Sequence, residues 1–158
     1  MEKAIATILL TVASIVAIIT VINALMPAIS RTNGSIVATS DSVNNRISTD
    51  LEIIHVAGTD GSADVEAWAK NTGADRIAPM SRVDVFFGPA DAFVRVPYGD
   101  PGCTAPCWSF NVENDTEWNP TATIRIDLTS DTNLVQGETY YIKIVAPNGV
   151  TDARFFTI

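Results

Sequence analysis

The sequence opens with 27 consecutive residues, Ala4 to Ser30, that include no Asp, Glu, Lys, Arg or His. As an α-helix this stretch would extend about 40 Å at 1.5 Å per residue, which exceeds the ~30 Å apolar thickness of a bilayer. An apolar surface of this length is unstable in water, so it must be covered by lipid, by copies of itself or by a partner protein. What covers it therefore constrains both the fold and the function of the chain.

This apolar stretch is longer than the roughly 7–15 apolar residues of a secretory signal peptide, and it lacks the strongly basic start that such peptides carry. No clear cleavage site of small residues follows it. We therefore expect the stretch to be retained in the mature protein rather than removed.

The apolar pattern continues past the stretch as a stripe at helical spacing for about another 20 residues. Polar and charged residues fill the remaining positions, so the second half of the helix is predicted to be amphipathic. Pro27 lies where the two halves meet and predicts a kink or a local break. A simple anchor would end at the membrane surface, whereas a helix of about 45 residues suits a bundle of like helices.

Small residues at helical spacing indicate how such helices would pack. Ala13 and Ala17 lie four residues apart, an arrangement that lets helix backbones approach closely. The same composition is common in an ordinary single-span membrane anchor, so both interpretations stay open at this point. If copies pack together, the expected contact residues are Ala13, Ala17, Ile15, Ile18, Ile29, Ile36 and Val43.

From Leu51 onward the apolar residues alternate with a period of two, which is typical of half-buried strands. Turn signals rich in Gly, Pro, Asn and Asp separate the strands. The pattern predicts an antiparallel β-sandwich of immunoglobulin-like type. The fold class is therefore α+β, with a long hydrophobic α-helix in residues 1–49 and the sandwich in residues 50–158. The eight predicted strands are 51–57, 64–70, 82–88, 92–98, 107–113, 122–128, 139–146 and 153–158.

Alternation within these strands also predicts which side chains fill the core. Three tryptophans, Trp68, Trp108 and Trp118, could either plug the core or form exposed contacts, and the core is the commoner fate. The predicted core residues are Ile54, Val56, Val65, Ala67, Val83, Val85, Phe87, Phe110, Val112, Ile124, Ile126, Leu128, Tyr141, Ile142, Ile144 and Phe156.

The net charge of −8 lies entirely in the second part of the chain. Residues 1–50 hold three acids and three bases, whereas residues 51–158 hold 15 acids and 7 bases. Phosphate contacts dominate nucleic-acid affinity, so an acidic domain without a basic patch argues against a nucleic-acid partner. The charge is instead typical of a soluble surface that faces water.

Two cysteines, Cys103 and Cys107, lie in a loop rich in Pro and Gly. They could close a small disulfide ring outside the cell or remain two thiols. A zinc site is less favoured, because tetrahedral sites need four ligands and the chain has one His and no third Cys. An oxidising compartment would favour the disulfide.

No set of residues forms a catalytic motif. His55 is the only histidine and lies in a predicted strand, and no nucleophile elbow is present. Asp60 and Asp64 lie in an acidic turn that lacks the distal Glu of a calcium loop. We therefore expect no enzyme activity, no cofactor and no metal site.

Two Asn-x-Ser/Thr sequons begin at Asn33 and Asn114. The triplet often arises by chance, so it indicates glycosylation only if the domain lies outside the cytoplasm. In that case Asn114, in a loop, is favoured over Asn33, which lies in the predicted helix.

Three segments carry a resemblance to a known group of proteins: residues 65–77 (VEAWAKNTGADRI), 81–87 (SRVDVFF) and 139–156 (TYYIKIVAPNGVTDARFF). The apolar helix, its amphipathic continuation and the β-sandwich together resemble the type IV pilin superfamily and, more closely, proteins of the archaellum, the rotating archaeal-type flagellum. The three segments make the likeness more specific. The likeness is to the archaellum G family, which pairs one membrane helix with a β-sandwich and is associated with the periplasmic stator. Archaellins, the filament subunits, share the same plan.

These patterns lead to two principal functional hypotheses. In the first, the chain is a surface filament subunit that serves motility or adhesion and depends on archaellum-like machinery. It inserts into the membrane before assembly and then polymerises through its helix, with the sandwich outside the cell. In the second, the helix stays in the membrane and the sandwich binds the cell envelope as a stator component.

A third hypothesis is a membrane-tethered adhesion or binding module. It would require an exposed apolar or aromatic patch on the sandwich. Trp108 and Trp118 near the Pro/Gly-rich loop are the candidates for that patch.

Overall fold

A computed structural model of the chain describes residues 2–99 and 103–158, apart from the side chains of residues 2, 28–30, 33 and 35. One α-helix is followed by eight β-strands, with a short 3-10 turn at Met80–Arg82. The elements are α1 Glu2–Ser48, β1 Leu51–Gly58, β2 Asp64–Asn71, β3 Asp84–Pro89, β4 Val94–Val96, β5 Cys107–Val112, β6 Thr123–Thr129, β7 Thr139–Val145 and β8 Thr151–Thr157.

The chain divides into two compact units, Met1–Val43 and Asn44–Ile158. Helix α1 is continuous through Pro27 and Gly34, so the local break expected at the proline is absent. Proline removes a single backbone donor, and the hydrogen bonds of the flanking turns can maintain the helix. The sequence-based domain boundary between residues 49 and 50 stays a prediction.

The eight strands form two four-stranded antiparallel sheets, ordered β1-β2-β6-β5 and β4-β3-β7-β8. Their inner faces supply the core, which confirms the α+β sandwich expected from the alternation. The largest fully buried side chains include Trp108, Trp118, Ile124, Ile126 and Ile142.

Two of the predicted core residues are wrong. The register of β1 against β2 shifts between Ile53 and His55, so Ile53 is buried and Ile54 is exposed. In β7 the residue that shares the inner face with Ile142 is Tyr140, and Tyr141 consequently lies on the outer face. The other predicted core residues lie in the core or pack against it.

The two tryptophans proposed as an exposed patch are also corrected by the structure. Trp108 and Trp118 are 0% and 1% exposed, because both belong to the core. Neither can form the aromatic surface on which the hypothesis of an adhesion module depended. Trp68 is partly exposed, and its ring lies 5.4 Å from that of His55.

Side chains of β8 close one side of the sandwich where β1 bulges. The Asp152 carboxylate accepts a hydrogen bond from the Ile53 backbone N–H at 2.7 Å. The Arg154 guanidinium donates to the Ile53 and Ile54 carbonyls at 2.9 Å. These bonds satisfy backbone groups that would otherwise be an open edge for strand pairing.

The end of α1 is held by the sandwich. The Ser48 carbonyl accepts hydrogen bonds from the backbone N–H groups of Ala74 and Asp75 at 2.7 and 3.1 Å. Asn148 Nδ2 donates to the Asn45 carbonyl at 3.0 Å. These contacts satisfy carbonyls that a helix end leaves without partners.

Candidate assembly surface of the N-terminal helix

The first half of α1 carries an apolar surface that is exposed along its described residues. The segment Lys3–Pro27 has a mean hydropathy of 2.8, is long enough to cross a membrane, and is 0% buried. The exposed large apolar side chains are Ile5, Ile8, Leu9, Leu10, Val12, Ile15, Val16, Ile18, Ile19, Val21, Ile22, Leu25 and Met26.

The hydroxyl groups in this segment are satisfied inside the helix. Thr7, Thr11, Ser14 and Thr20 each donate to a backbone carbonyl three or four residues earlier. A hydroxyl bonded in this way needs neither water nor a partner on another helix. The segment can therefore enter lipid or the interior of a protein bundle without burying these groups unpaired.

The second half of α1 keeps an apolar face that is also exposed. Ile36, Val43 and Ile47 are separated by seven and four residues, so they lie on one side of the helix. Their exposed fractions are 58%, 49% and 78%. Ala38 and Asp41 lie toward the opposite side, since each residue advances the helix by about 100°.

The predicted packing residues of the first half are accessible in the isolated chain. Ala13 and Ala17 lie one turn apart and are exposed, as are Ile15 and Ile18. The side chains of Ile29 and Asn33 lie outside the described residues. Contacts of this set with neighbouring helices stay a prediction.

Cys103 and Cys107 are joined by a disulfide with their Cα atoms 6.3 Å apart. Cys107 begins β5 and is buried, whereas Cys103 is partly exposed. The bond therefore ties the loop before β5 to the edge of the sheet.

The favoured sequon lies in the loop between β5 and β6. Asn114 is exposed, and its Oδ1 accepts a hydrogen bond from the Thr123 backbone N–H at 2.8 Å. This bond fixes the side chain and leaves Nδ2, the nitrogen that a glycan would occupy, without a hydrogen bond within the described part of the chain. Glycosylation at Asn114 stays a prediction.

The same loop is organised by Asp115. Its carboxylate accepts hydrogen bonds from Asn119 Nδ2 at 2.9 Å and from the Thr116 N–H at 2.6 Å. These bonds, the one from Asn119 first, lower the pKa of Asp115 below its usual value because they favour the ionised form.

The carboxylates of the acidic turn that was considered for calcium accept hydrogen bonds from other groups of the protein. Asp60 accepts from the Gln136 N–H at 2.9 Å, and Asp64 accepts from the Thr129 hydroxyl at 3.1 Å. Across residues 2–99 and 103–158, no group of three or more His, Cys, Asp or Glu is placed to hold a metal ion.

One surface feature escaped the sequence analysis. On the outer face of the β4-β3-β7-β8 sheet, the rings of Phe93 and Tyr141 lie 4.5 Å apart, and those of Tyr141 and Phe155 lie 4.8 Å apart. Strict alternation within TYYIKIV could have placed Tyr141 on the outer face, because it cannot share a face with Ile142, but it does not show that Phe93 and Phe155 lie beside it.

The profile of the archaeal-type flagellin family matches residues 2–154, both the helix and nearly all of the sandwich. The chain belongs to this family. An uncharacterized protein of Archaeoglobus fulgidus is 29% identical to this family member over 164 residues, covering 99% of this chain and 98% of that protein.

Solved archaellum structures resemble this chain in two different ways. The archaellum periplasmic stator protein FlaG from Sulfolobus acidocaldarius is 29% identical, with a TM-score of 0.60, and covers 68% of this chain and 99% of its own. The complex of FlaF and FlaG from the same organism gives 27% identity and a TM-score of 0.58, covering 67% of this chain and 87% of that one. The archaeal flagellum of Methanospirillum hungatei covers 97% of this chain and 91% of its own, with a TM-score of 0.69 and 17% identity, which shows a common fold.

Proposed function

We propose that the chain is a structural subunit of an archaellum-like surface filament. It inserts in the membrane before assembly and then polymerises through α1, with the sandwich outside the cell. The observation that carries this proposal is the exposed apolar face that the described residues of α1 present on both sides of Pro27. At 47 residues α1 is about 70 Å long, more than twice the apolar thickness of a bilayer.

The part of the helix beyond Pro27 distinguishes a filament subunit from an anchor. Lipid can cover Lys3–Pro27, but Ile36, Val43 and Ile47 lie 9 to 20 residues further along. Burying a large aliphatic side chain stabilises by about 1.5–3 kcal/mol. Covering these half-exposed residues and their neighbour Val37 would therefore contribute on the order of 5 kcal/mol per copy. In a bundle of like helices, neighbouring copies would cover these side chains along the entire length of α1.

The family and the fold support the same assignment. The archaeal-type flagellin profile includes the helix, and the fold likeness to the Methanospirillum hungatei flagellum extends over 97% of the chain. An enzyme is not supported, because the family and the similar structures are components of a motility organelle.

A stator role is the second candidate, favoured by one specific observation. FlaG is 29% identical, and its likeness covers 68% of this chain. In that role the helix would remain in the membrane, and the sandwich would bind the envelope or a FlaF-like partner. Such an anchor would not require the apolar face around Ile36.

The two roles are separated by Ile36→Asp. This position lies beyond the segment that can cross a membrane, so the variant should still insert. A filament subunit would lose surface filaments, because an unpaired carboxylate would enter the helix bundle. A stator component would keep its function. The matched control is Ala38→Asp, which adds the same charge on the opposite side of the helix.

The measurement is the amount of chain in filaments sheared from cells, compared with the amount left in membranes, together with electron micrographs. We expect wild type and Ala38→Asp in the sheared fraction and Ile36→Asp in the membranes alone. Normal filaments from Ile36→Asp, or wild-type protein confined to membranes in small copy number, would contradict the filament role.

A further inference from the structure

The two outer faces of the sandwich differ in chemistry. The outer face of the β4-β3-β7-β8 sheet carries the contacting rings of Phe93, Tyr141 and Phe155, which we name the aromatic face. Phe155 is 61% exposed and Phe93 is 44% exposed. Three adjacent, partly exposed aromatic rings are unusual on a surface that meets only water, and such patches mark interaction sites.

The backbone beneath the rings is shaped to hold them. Gly88 pairs with Tyr141 across β3 and β7, and a Cβ atom at Gly88 would lie 2.8 Å from the Phe93 Cα. Its φ of +152° is a backbone conformation that residues other than glycine rarely adopt. Gly88 thus allows Phe93 to lie directly over the sheet beside Tyr141.

The aromatic face carries one cation without a partner. Three charged residues lie at the strand positions of this face. Arg95 and Asp84 form an ion pair at 2.6 Å, and the third charged residue is Lys143. Within the described residues, no carboxylate lies at ion-pair distance from Lys143. The strand positions of this face therefore sum to +1, although the chain as a whole carries −8.

The outer face of the β1-β2-β6-β5 sheet is acidic, because its outward strand positions carry four acids against two bases, Lys70 and Arg125, and sum to −2. Glu66 and Asp127 lie directly opposite each other on β2 and β6, an arrangement in which like charges repel. Arg125 pairs with Asp127 at 2.9 Å, whereas no base among the described residues pairs with Glu66. We name the outward strand acids Glu52, Asp64, Glu66 and Asp127 the acidic face, beside which lies the partly exposed ring of Trp68.

We propose that the aromatic face of one copy docks on the acidic face of the next copy. Lys143 then offsets the charge of Glu66, since Arg125 already pairs with Asp127, and the aromatic rings cover the exposed part of the Trp68 ring. A contact between two aromatic faces would instead bring two unpaired lysines together. Because the proposed contact joins two different faces, it leaves one face of each kind free at the ends and extends into a helical polymer when the rotation between copies does not close a ring.

This inference rests on the proposed filament role and specifies a second contact within it. Three aromatic rings form a small patch, below the area of a stable interface between free proteins. Such a contact becomes effective when the helices already hold neighbouring sandwiches at high local concentration. We therefore expect the sandwiches to associate within the polymer and not as free domains.

The test is a charge reversal on each face in the full-length chain. Lys143→Glu and Glu66→Lys should each raise the unpolymerised fraction about three- to fivefold, because each places like charges across the contact. The double variant restores opposite charges and should return the unpolymerised fraction toward the wild-type value. Two weakened single variants without recovery in the double variant would overturn the pairing.

Phe155→Asp tests the aromatic part of the contact and should raise the unpolymerised fraction about tenfold. The matched control is Val135→Asp, which adds the same charge at a residue that is 54% exposed and lies outside both faces. The control should polymerise normally. An equal effect of both changes would overturn the proposal, as would normal polymerisation of Phe155→Asp. If circular dichroism shows that Phe155→Asp does not fold, the charge-reversal variants alone test the proposed contact.

Failure of this contact is distinguishable from failure of the filament role. If the face variants polymerise normally while Ile36→Asp does not, the docking of the two faces is wrong and the filament role stands. If wild-type protein does not polymerise, both are wrong.

Discussion

Helix α1 and the sandwich use similar apolar residues in opposite ways. In the sandwich, Ile124, Ile126 and Ile142 are 0% exposed, whereas in the helix Ile15 and Ile18 are 56% and 59% exposed. The sandwich therefore buries its apolar surface within one chain, and the helix cannot. This difference indicates that the sandwich is complete as a monomer while the helix acquires its surroundings from lipid or from other copies.

Polar groups show the same contrast. In the helix, hydroxyls bond to carbonyls one turn away, so each bond is local. In the sandwich, polar bonds join distant parts of the chain, such as Asp152 and Arg154 with Ile53. Local bonds survive transfer of the helix between lipid and a bundle, whereas long-range bonds fix one tertiary structure.

The largest expected effect separates two identical substitutions. Ile126→Ala should destabilise the sandwich by about 2–5 kcal/mol, because it leaves a cavity in the core. Ile15→Ala should change the unfolding free energy of the sandwich by about 0.5 kcal/mol or less. Denaturant unfolding followed by tryptophan fluorescence measures both, since Trp108 and Trp118 are buried reporters. Equal losses would contradict the separation of the two units.

A second prediction concerns glycines in the two units. A Cβ atom at Gly73 would lie 2.4 Å from the Asp50 nitrogen and 2.6 Å from the Ser48 oxygen, where α1 meets β1. Gly73→Ala should therefore cost about 1–3 kcal/mol of sandwich stability. Gly34→Ala meets nothing within 4 Å and should stabilise the helix by up to about 1 kcal/mol.

Thermal unfolding measures the stability of the sandwich in both glycine variants, and far-ultraviolet circular dichroism measures their helix content. Loss of stability is expected for Gly73→Ala alone. A destabilising Gly34→Ala in detergent-solubilised monomer would show that the helix is constrained around that residue by contacts within the chain.

The sequence predicted what depends on local pattern and missed what depends on register. Alternation identified both sheets and most of the core, and hydropathy identified the helix. Ile54 was misplaced because a bulge in β1 reverses the alternation, and no local signal marks that bulge. The aromatic face could not be assembled from the sequence, because Phe93, Tyr141 and Phe155 meet only once strand order and register are known.

The smallest effect concerns the loop that contains the favoured sequon. Hydrogen bonds from Asn119 and Thr116 lower the pKa of Asp115 in the folded protein, so the ionised form is the one that the fold stabilises. The contribution is therefore present above about pH 4, the ordinary range of an aspartate, and is lost as the pH falls through the lower folded pKa. Amide resonances of Thr116 and Asn119 in the full-length protein should titrate with a midpoint below that range. Asp115→Asn should abolish the step, and a midpoint at or above the ordinary value would refute this account of the loop. Because Lys3–Pro27 contains no Asp or Glu, no corresponding acid transition is expected there, which extends the contrast between the two units to their response to pH.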